Sequence, residues 1–329
     1  MNGLPKLPAH RPSAIVRERY EVEVAEFCAR LQEVASRQDF RISGGRGWAY
    51  ILEGERVIDK DDIDAAEKLI NDCRKNGSLS VDICGEDSKR AVENLEHLNN
   101  PNPRERAQEV LNYVNRAENY YYPFWFWDDQ EFYVQVATEK ADLKNLFTKT
   151  CAGFYVPIAN WGGWGDLKKE AEGKQCVLLC RYDFDPGRLQ ITNFLRSNLE
   201  DMAGAEGVDW SPKHLIIDRF GLNYDYIVKN KLVWINNLIT INKDIPPLDS
   251  PRHPDHFKPY LQDYLKRYGA RKVEANALLK RPENARALCR QAILKYAPED
   301  AVEQYERKLA VVRSKMRKHL RRLLEEAAE

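Results

Sequence analysis

The sequence predicts an α/β protein: a parallel-sheet domain with crossover helices, preceded by a mainly helical amino-terminal unit. Three observations lead there. From residue 131 onward short apolar runs alternate with amphipathic stretches, the rhythm of βαβ units. Upstream, residues 16–75 carry helix-period patterns broken by turn residues. Acidic residues also stand just beyond two of the apolar runs, where the carboxyl edge of a parallel sheet lies and where such sheets do chemistry.

Residues 1–15 read as a Pro-containing arm whose basic side chains are Lys6, His10 and Arg11, with Arg17 and Arg19 close behind. Val16, Tyr20, Val24, Phe27, Leu31 and Val34 recur at helical period, so a first helix is expected over 16–38, giving an arm-plus-helix segment of residues 1–38. Ser43-Gly-Gly45 punctuates. A short helix over 46–52 follows, then a longer one over 61–75 with acids in its first turn and basic residues in its last. Asn76-Gly77 stops that helix, and Leu79–Cys84 alternates as a strand. Short helix, turn, longer helix and strand together suggest a winged helix within residues 39–98. Such a unit offers its second helix to a DNA groove. Here Arg74 and Lys75 lie at its end, but the rest of that helix is predominantly acidic.

Residues 99–130 combine a Pro-Asn linker, a helix over 105–117 and the aromatic run Tyr120–Trp127. Aromatic runs can stack on unpaired bases or staple domains together, and bulk of this size favours the staple. In the sheet domain, residues 131–300, strands are expected over 132–138, 153–158, 176–182 and 214–221, with helices over 141–149, 166–171 and 188–201. Residues 301–329 close the chain as a basic helix: eight Lys/Arg and no acid lie between Arg307 and Arg322. Leu309, Val312, Met316 and Leu323 give it an apolar seam, suited to a partner subunit or to phosphates.

Composition bounds the function class. Lys+Arg and Asp+Glu both number 51, so any nucleic-acid role must come from charge distribution and not from net charge. A hydrophobic share of 43% in 329 residues supports two packed domains and argues against long disorder. No stretch approaches the ~18 consecutive apolar residues of a membrane span, and Met1–Pro8 lacks a signal-like apolar region, so a cytoplasmic protein is expected, nucleoid-associated in a prokaryote. Seven cysteines without a CxxC pair point to reduced thiols, Cys176 and Cys180 filling the core. His253-Pro-Asp-His256 reads as a loop, since the proline breaks helical ligand spacing. Asn160-Trp-Gly-Gly-Trp-Gly165 lacks the Gly-Lys-Ser/Thr ending of a Walker A loop and is either a phosphate-approaching turn or a tight structural one.

The chemistry concentrates in three acids. Glu139 ends the run Phe132–Thr138, while Asp183 and Asp185 end the run Val177–Tyr182 and are followed by Pro186-Gly187. Residues i and i+2 of an extended strand share a face, so both aspartates point one way. Mg²⁺ prefers such hard oxygen ligands and is usually held by one or two carboxylates and several waters. Three acids at one sheet edge repel each other unless a cation compensates them.

The order Glu139-Lys140, apolar strand, Asp183-Phe-Asp185-Pro-Gly187 resembles the TOPRIM domain of topoisomerases and related nucleases. With Trp125–Gln130, Arg219–Tyr224 and Val273–Leu278 added, residues 40–300 resemble the topoisomerase VI A subunit and the meiotic double-strand-break transesterases, including their short stand-alone form. That resemblance implies a TOPRIM-like sheet domain joined to a winged helix carrying a tyrosine four residues after an arginine, matched by Arg46 and Tyr50. It implies a Mg²⁺-dependent DNA-cleaving enzyme, a type IIB isomerase, in which Tyr50 attacks a phosphodiester and leaves a phosphotyrosyl link. Arg46 would steady the phosphate, and Glu139, Asp183 and Asp185 would hold the metal, with Glu139 also serving the reaction. The implied partners are double-stranded DNA, a second copy of the chain placing tyrosine opposite metal site, and a separate ATPase B-type subunit. The chain departs from the family pattern at Gly47, Trp48 and Arg188. Two other expectations stand beside it: a TOPRIM nuclease using metal-activated water, with Tyr50 structural, and a non-catalytic module that binds DNA or a protein partner.

Overall fold

Four parallel strands form one sheet, β1 (Phe132–Thr138), β2 (Ile158–Asn160), β3 (Gln175–Arg181) and β4 (Leu215–Arg219), in the order β2-β1-β3-β4. The computed structural model describes residues 4–6, 12–85, 102–160, 174–190, 197, 215–239 and 244–326. Val134, Ala137, Leu178 and Leu179 are all buried, so β1 and β3 are covered on both faces, as the continuous apolar runs of a central parallel pair require. The register pairs Thr138 with Arg181 and Val136 with Ile158. From β1 the chain leaves toward β2 on one side, and from β3 it leaves toward β4 on the other. The order therefore reverses between β1 and β3, which opens a crevice at their carboxyl ends.

The described helices are α1 (Ala14–Ser36), α2 (Gly45–Gly54), α3 (Ile63–Lys75), α4 (Pro103–Val114), α5 (Ala141–Ala152), α6 (Tyr224–Lys229), α7 (Pro259–Tyr268), α8 (Pro282–Leu294) and α9 (Ala301–Glu326). None of them is long and apolar enough to cross a membrane. Only the second half of α1 packs, through Phe27, Leu31 and Val34, while Ile15 and Val22 face solvent. α2 lies between α3 and the 3₁₀ turn Ala275–Lys280, and α5 runs against β1, β2 and α8. A single hydrophobic core continues from Phe27 through the sheet to Leu309.

The sheet and its crossover helix α5 follow the sequence pattern within a few residues. Two expected strands do not. Leu79–Cys84 is not extended: the Leu79 N–H donates to Cys73 O, Ser80 Oγ accepts from Asp82 N–H, and a 3₁₀ turn spans Val81–Ile83. The tight stop at Gly77, with φ of +82°, folds this segment back on α3 before it can pair with anything. The strand expected over 153–158 begins only at Ile158, because both Phe154 and Val156 donate to Cys151 O and wrap the chain in a turn. The helix expected over 166–171, most of the one over 188–201, and Trp161–Gly165 lie outside the described residues. Pro186–Gln190 is helical.

Only the end of the aromatic run is packed: Tyr120, Tyr121, Tyr122 and Trp125 are exposed, whereas Phe126 and Trp127 are buried, Phe126 packs on Tyr155 and Tyr305, and Trp127 Nε1 donates to Tyr155 O at 3.1 Å. Three of the eight cations of the basic helix α9 hold the 118–129 segment. Arg313 Nη2 donates to Asn119 O at 2.7 Å, Arg317 pairs with Glu118, and Lys308 pairs with Asp129. Its apolar seam is short, since Leu309 is buried whereas Leu323 is 60% exposed. All seven cysteines are free and buried, and His253–His256 forms turns in which His253 Nδ1 accepts from Asp255 N–H.

Candidate functional site at the carboxyl edge of the sheet

Glu139 and Asp183 sit on the two sides of the β1/β3 crevice. The parallel ladder runs one residue past β1, with Glu139 N–H donating to Arg181 O at 3.1 Å, and this fixes Glu139 at the rim. Beyond β3, Phe184 makes an antiparallel bridge with Val273. That bridge brings the next residues alongside, and Ala275 N–H donates to Asp183 Oδ1 at 2.7 Å. Phe184 points the other way, into a cluster with Trp234, Tyr264 and Tyr268. Phe184 between the two aspartates is thus inward, as the alternation requires, while Asp183 and Asp185 bond to different segments. Asp185 has a further local task. Its Oδ1 accepts from Arg188 N–H at 2.6 Å and its carbonyl accepts from Leu189 N–H, so it caps the helix that starts at Pro186.

Cations thread this edge. The Lys140 ammonium is 3.4 Å from both Glu139 and Asp183, and Arg188 Nη2 is 2.8 Å from Glu139 Oε1. Arg219 donates to the carbonyls of Arg188 and, at 3.3 Å, Asp183. Burial alone would depress Lys140, but Asp183, Glu139 and Glu274 outweigh it and hold the ammonium above its usual range. Glu139 moves up: burial is the first cause and Asp183 the second, with Lys140 and Arg188 opposing. Asp185 is also raised by burial, against the pull of the Arg188 N–H.

Tyr50 and Arg46 reach the same network from α2. Tyr50 is 1% exposed, and its hydroxyl donates to Glu274 Oε2 at 3.1 Å. Arg46 grips Glu274 with two nitrogens at 2.8 and 3.1 Å and also pairs with Asp64 at 2.7 Å and Glu67 at 3.1 Å. The i, i+4 spacing does place both side chains on one target, and that target is a carboxylate. Burial and then Glu274 push the Tyr50 phenol well above its usual range, so the phenolate is disfavoured in this arrangement. The departures at Gly47 and Trp48 have a packing cause. A Cβ at Gly47 would lie 2.5 Å from Asp142 Oδ2 and 2.7 Å from Ile42 Cγ2, and Trp48 Nε1 donates to Ile83 O at 2.7 Å.

Glu274 is the residue that the sequence patterns did not single out. It lies within Val273–Leu278, a segment that enters the sequence pattern only through the family resemblance, and its neighbour Ala275 is what couples it to Asp183. Arg188 appeared only as a departure from a glycine position, whereas here it pairs with Glu139.

A divalent cation is tested by what the carboxylates lack. Glu139 Oε2 is buried and has no hydrogen-bond partner among the described residues, and the Glu139 carboxyl, raised first by burial, is raised further by the Asp183 carboxylate beside it. Both features fit a hard cation at the Glu139–Asp183 pair. Against this, no group of three His, Cys, Asp or Glu side chains among the described residues stands in metal-holding geometry, and Lys140 straddles the pair. The donor set therefore fits one ion shared by two carboxylates better than a three-carboxylate cage. Comparison of the chain with protein-family models, with curated proteins and with solved structures gives no match.

Proposed function

We propose that this chain is a divalent-metal-dependent phosphodiesterase acting on DNA, with its centre at Glu139, Asp183 and Asp185. The observation that carries the proposal is the placement of these acids at the carboxyl edge, Glu139 and Asp183 flanking the point where the strand order reverses, the usual ligand crevice of an open α/β sheet. Glu139 and Asp183 would hold Mg²⁺, which when bound supplies positive charge beside a phosphate and an activated water. The chain's own residues do the rest. Lys140 and Arg188, each about one-third exposed, are the cations placed to receive phosphate oxygens. Asp185 holds the turn that presents Arg188. Arg219 ties that turn back to the end of β3.

Hydrolysis is favoured over attack by Tyr50 because the phenol is buried, donates to a carboxylate and resists ionisation. Tyr50 and Arg46 instead position Glu274. In a transesterase of the kind the sequence resembles, Tyr50 would first have to leave Glu274.

Supercoiled plasmid incubated with the protein and Mg²⁺ tests this. Free-ended nicks are expected without denaturant, lost on chelation and in Glu139→Gln and Asp183→Asn, and retained in Tyr50→Phe. A protein–DNA adduct that survives denaturant and disappears in Tyr50→Phe would replace hydrolysis by transesterification. Intact plasmid with the folded protein would leave a binding module.

A further inference from the structure

A pocket of about 210 Å³ opens beside the acid edge. Pro186, the residue after Asp185, walls one side together with Leu189, and Tyr260, Tyr264 and Tyr268 of α7 wall the other. Spaced four apart, the tyrosines share one helix face. Their roles differ. Tyr264 is 3% exposed, with its hydroxyl 2.7 Å from Arg271 O and 3.2 Å from Phe184 O, which makes it a fixed floor tied to the strand end that carries Asp183 and Asp185. Tyr268 packs edge-on against Phe184 and Tyr264 at 5.1 and 5.0 Å. Tyr260 is half-buried and tethered by its hydroxyl to Asp255 at 3.2 Å, and among the described residues its ring has no aromatic partner.

The rim is polar and charged. Asp263 and Arg267 line the mouth, both are exposed, and among the described residues neither side chain has an ion-pair or hydrogen-bond partner. An aromatic wall with an unmatched ring calls for a flat π ligand. An arginine at the mouth calls for an anion, and a carboxylate there accepts from an amino group. The volume falls below the roughly 300–1,000 Å³ of sites that enclose a drug-sized ligand, so the pocket takes one heterocycle and not a whole cofactor.

We propose that this pocket stacks one unpaired nucleobase carried on a phosphate, using Tyr260 as the stacking ring and Arg267 as the phosphate contact. Its position beside Pro186 places the base next to the Glu139–Asp183–Asp185 edge, so the substrate at the scissile step is a single strand or a locally opened duplex. This placement rests on the phosphodiesterase reading above.

Binding is read without metal, and so without cleavage, by the fluorescence of a single-stranded oligodeoxynucleotide carrying one 2-aminopurine. Quenching is expected with the single strand and not with its duplex. Tyr260→Ala should weaken binding about tenfold, while Tyr260→Phe and Tyr260→Trp, which keep a ring, stay within about threefold of the parent. Arg267→Ala should weaken binding and flatten its salt dependence. Absence of quenching in the parent protein, or equal affinity for Tyr260→Ala, overturns the proposal. Quenching by 2-aminopurine riboside monophosphate but not by the strand assigns the same base pocket to a free nucleotide. Cleavage of the strand with Mg²⁺ is measured separately. Tyr260-dependent quenching without cleavage sinks the phosphodiesterase and leaves the pocket, and cleavage without such quenching does the reverse.

Discussion

Tyr50 donates its hydroxyl to Glu274 at 3.1 Å across 224 residues of chain, and this bond fastens the amino-terminal helices to the acid edge of the sheet. The next residue continues the connection, since Ala275 N–H donates to Asp183 at 2.7 Å. Glu274 is therefore the joint, with Arg46 donating to both of its oxygens. Removing the hydroxyl in Tyr50→Phe should cost about 1 kcal/mol in urea unfolding, the ordinary worth of one hydrogen bond. Glu274→Ala should cost about 2–3 kcal/mol, because it strands the Tyr50 hydroxyl and takes away the Arg46 bidentate partner together. Equal losses in the two variants would mean that Glu274 does not join the units.

Lys140 sits where a cation is wanted, 3.4 Å from Glu139 and 3.4 Å from Asp183. A divalent ion at that pair competes with the ammonium for the same charge. Lys140→Met should then tighten Mn²⁺ binding about tenfold, a fraction of the few kcal/mol that adjacent charges exchange near a protein surface. Calorimetric titration reads this directly. Weaker Mn²⁺ binding in the variant would show that Lys140 holds the carboxylates in place and does not exclude the ion.

How far the sequence carries depends on the range of the forces involved. β1, β3 and α5 were legible because period-2 and period-3.6 burial are local properties, and both faces of β1 and β3 had to be apolar. Glu139, Asp183 and Asp185 were legible for the same reason, since a strand end fixes where its next residues go. Leu79–Cys84 misled because alternation says nothing about whether a pairing strand exists, and here Cys73 O captures the Leu79 N–H first. Glu274 and the bonding of Arg188 were not legible: each depends on contacts between segments far apart in the chain, and no spacing rule reports that Phe184 will bridge to Val273. The basic run of α9 was legible only in part. Charge patterning reports a basic surface but not which of its cations fold back on the chain: Arg313, Arg317 and Lys308, three of the eight, bind the 118–129 segment.

Gly47 is set by closeness of approach. α2 lies so near Ile42 and the start of α5 that an added Cβ would stand 2.5 Å from Asp142 Oδ2. Asp142 cannot easily retreat, because it accepts from Ser43 N–H and is buried. Gly47→Ala should therefore destabilise the fold by about 1–3 kcal/mol, the range for overpacked cores, despite alanine's better helix propensity. Circular dichroism melts of Gly47→Ala against the parent check the sign, and a stabilised variant would mean that α2 shifts without cost.

Among the described residues Arg181 is the largest fully buried side chain, 1% exposed at the end of β3, and its one hydrogen bond there is from Nη1 to Phe220 O at 3.0 Å. Nε and Nη2 find no partner among the described residues. Burial and the neighbouring Arg219 lower its pKa, yet a guanidinium keeps its proton in folded proteins, so a charge is held in a buried place over the Phe220 ring. Replacing such a charge by an apolar side chain of similar length is often stabilising, by ~1–4 kcal/mol. The unpaired Phe220 carbonyl left behind offsets part of that gain. Arg181→Met is therefore expected to raise the unfolding free energy by about 1 kcal/mol in guanidinium titration. A loss of more than about 2 kcal/mol would show that the guanidinium meets an anion when the protein is in solution.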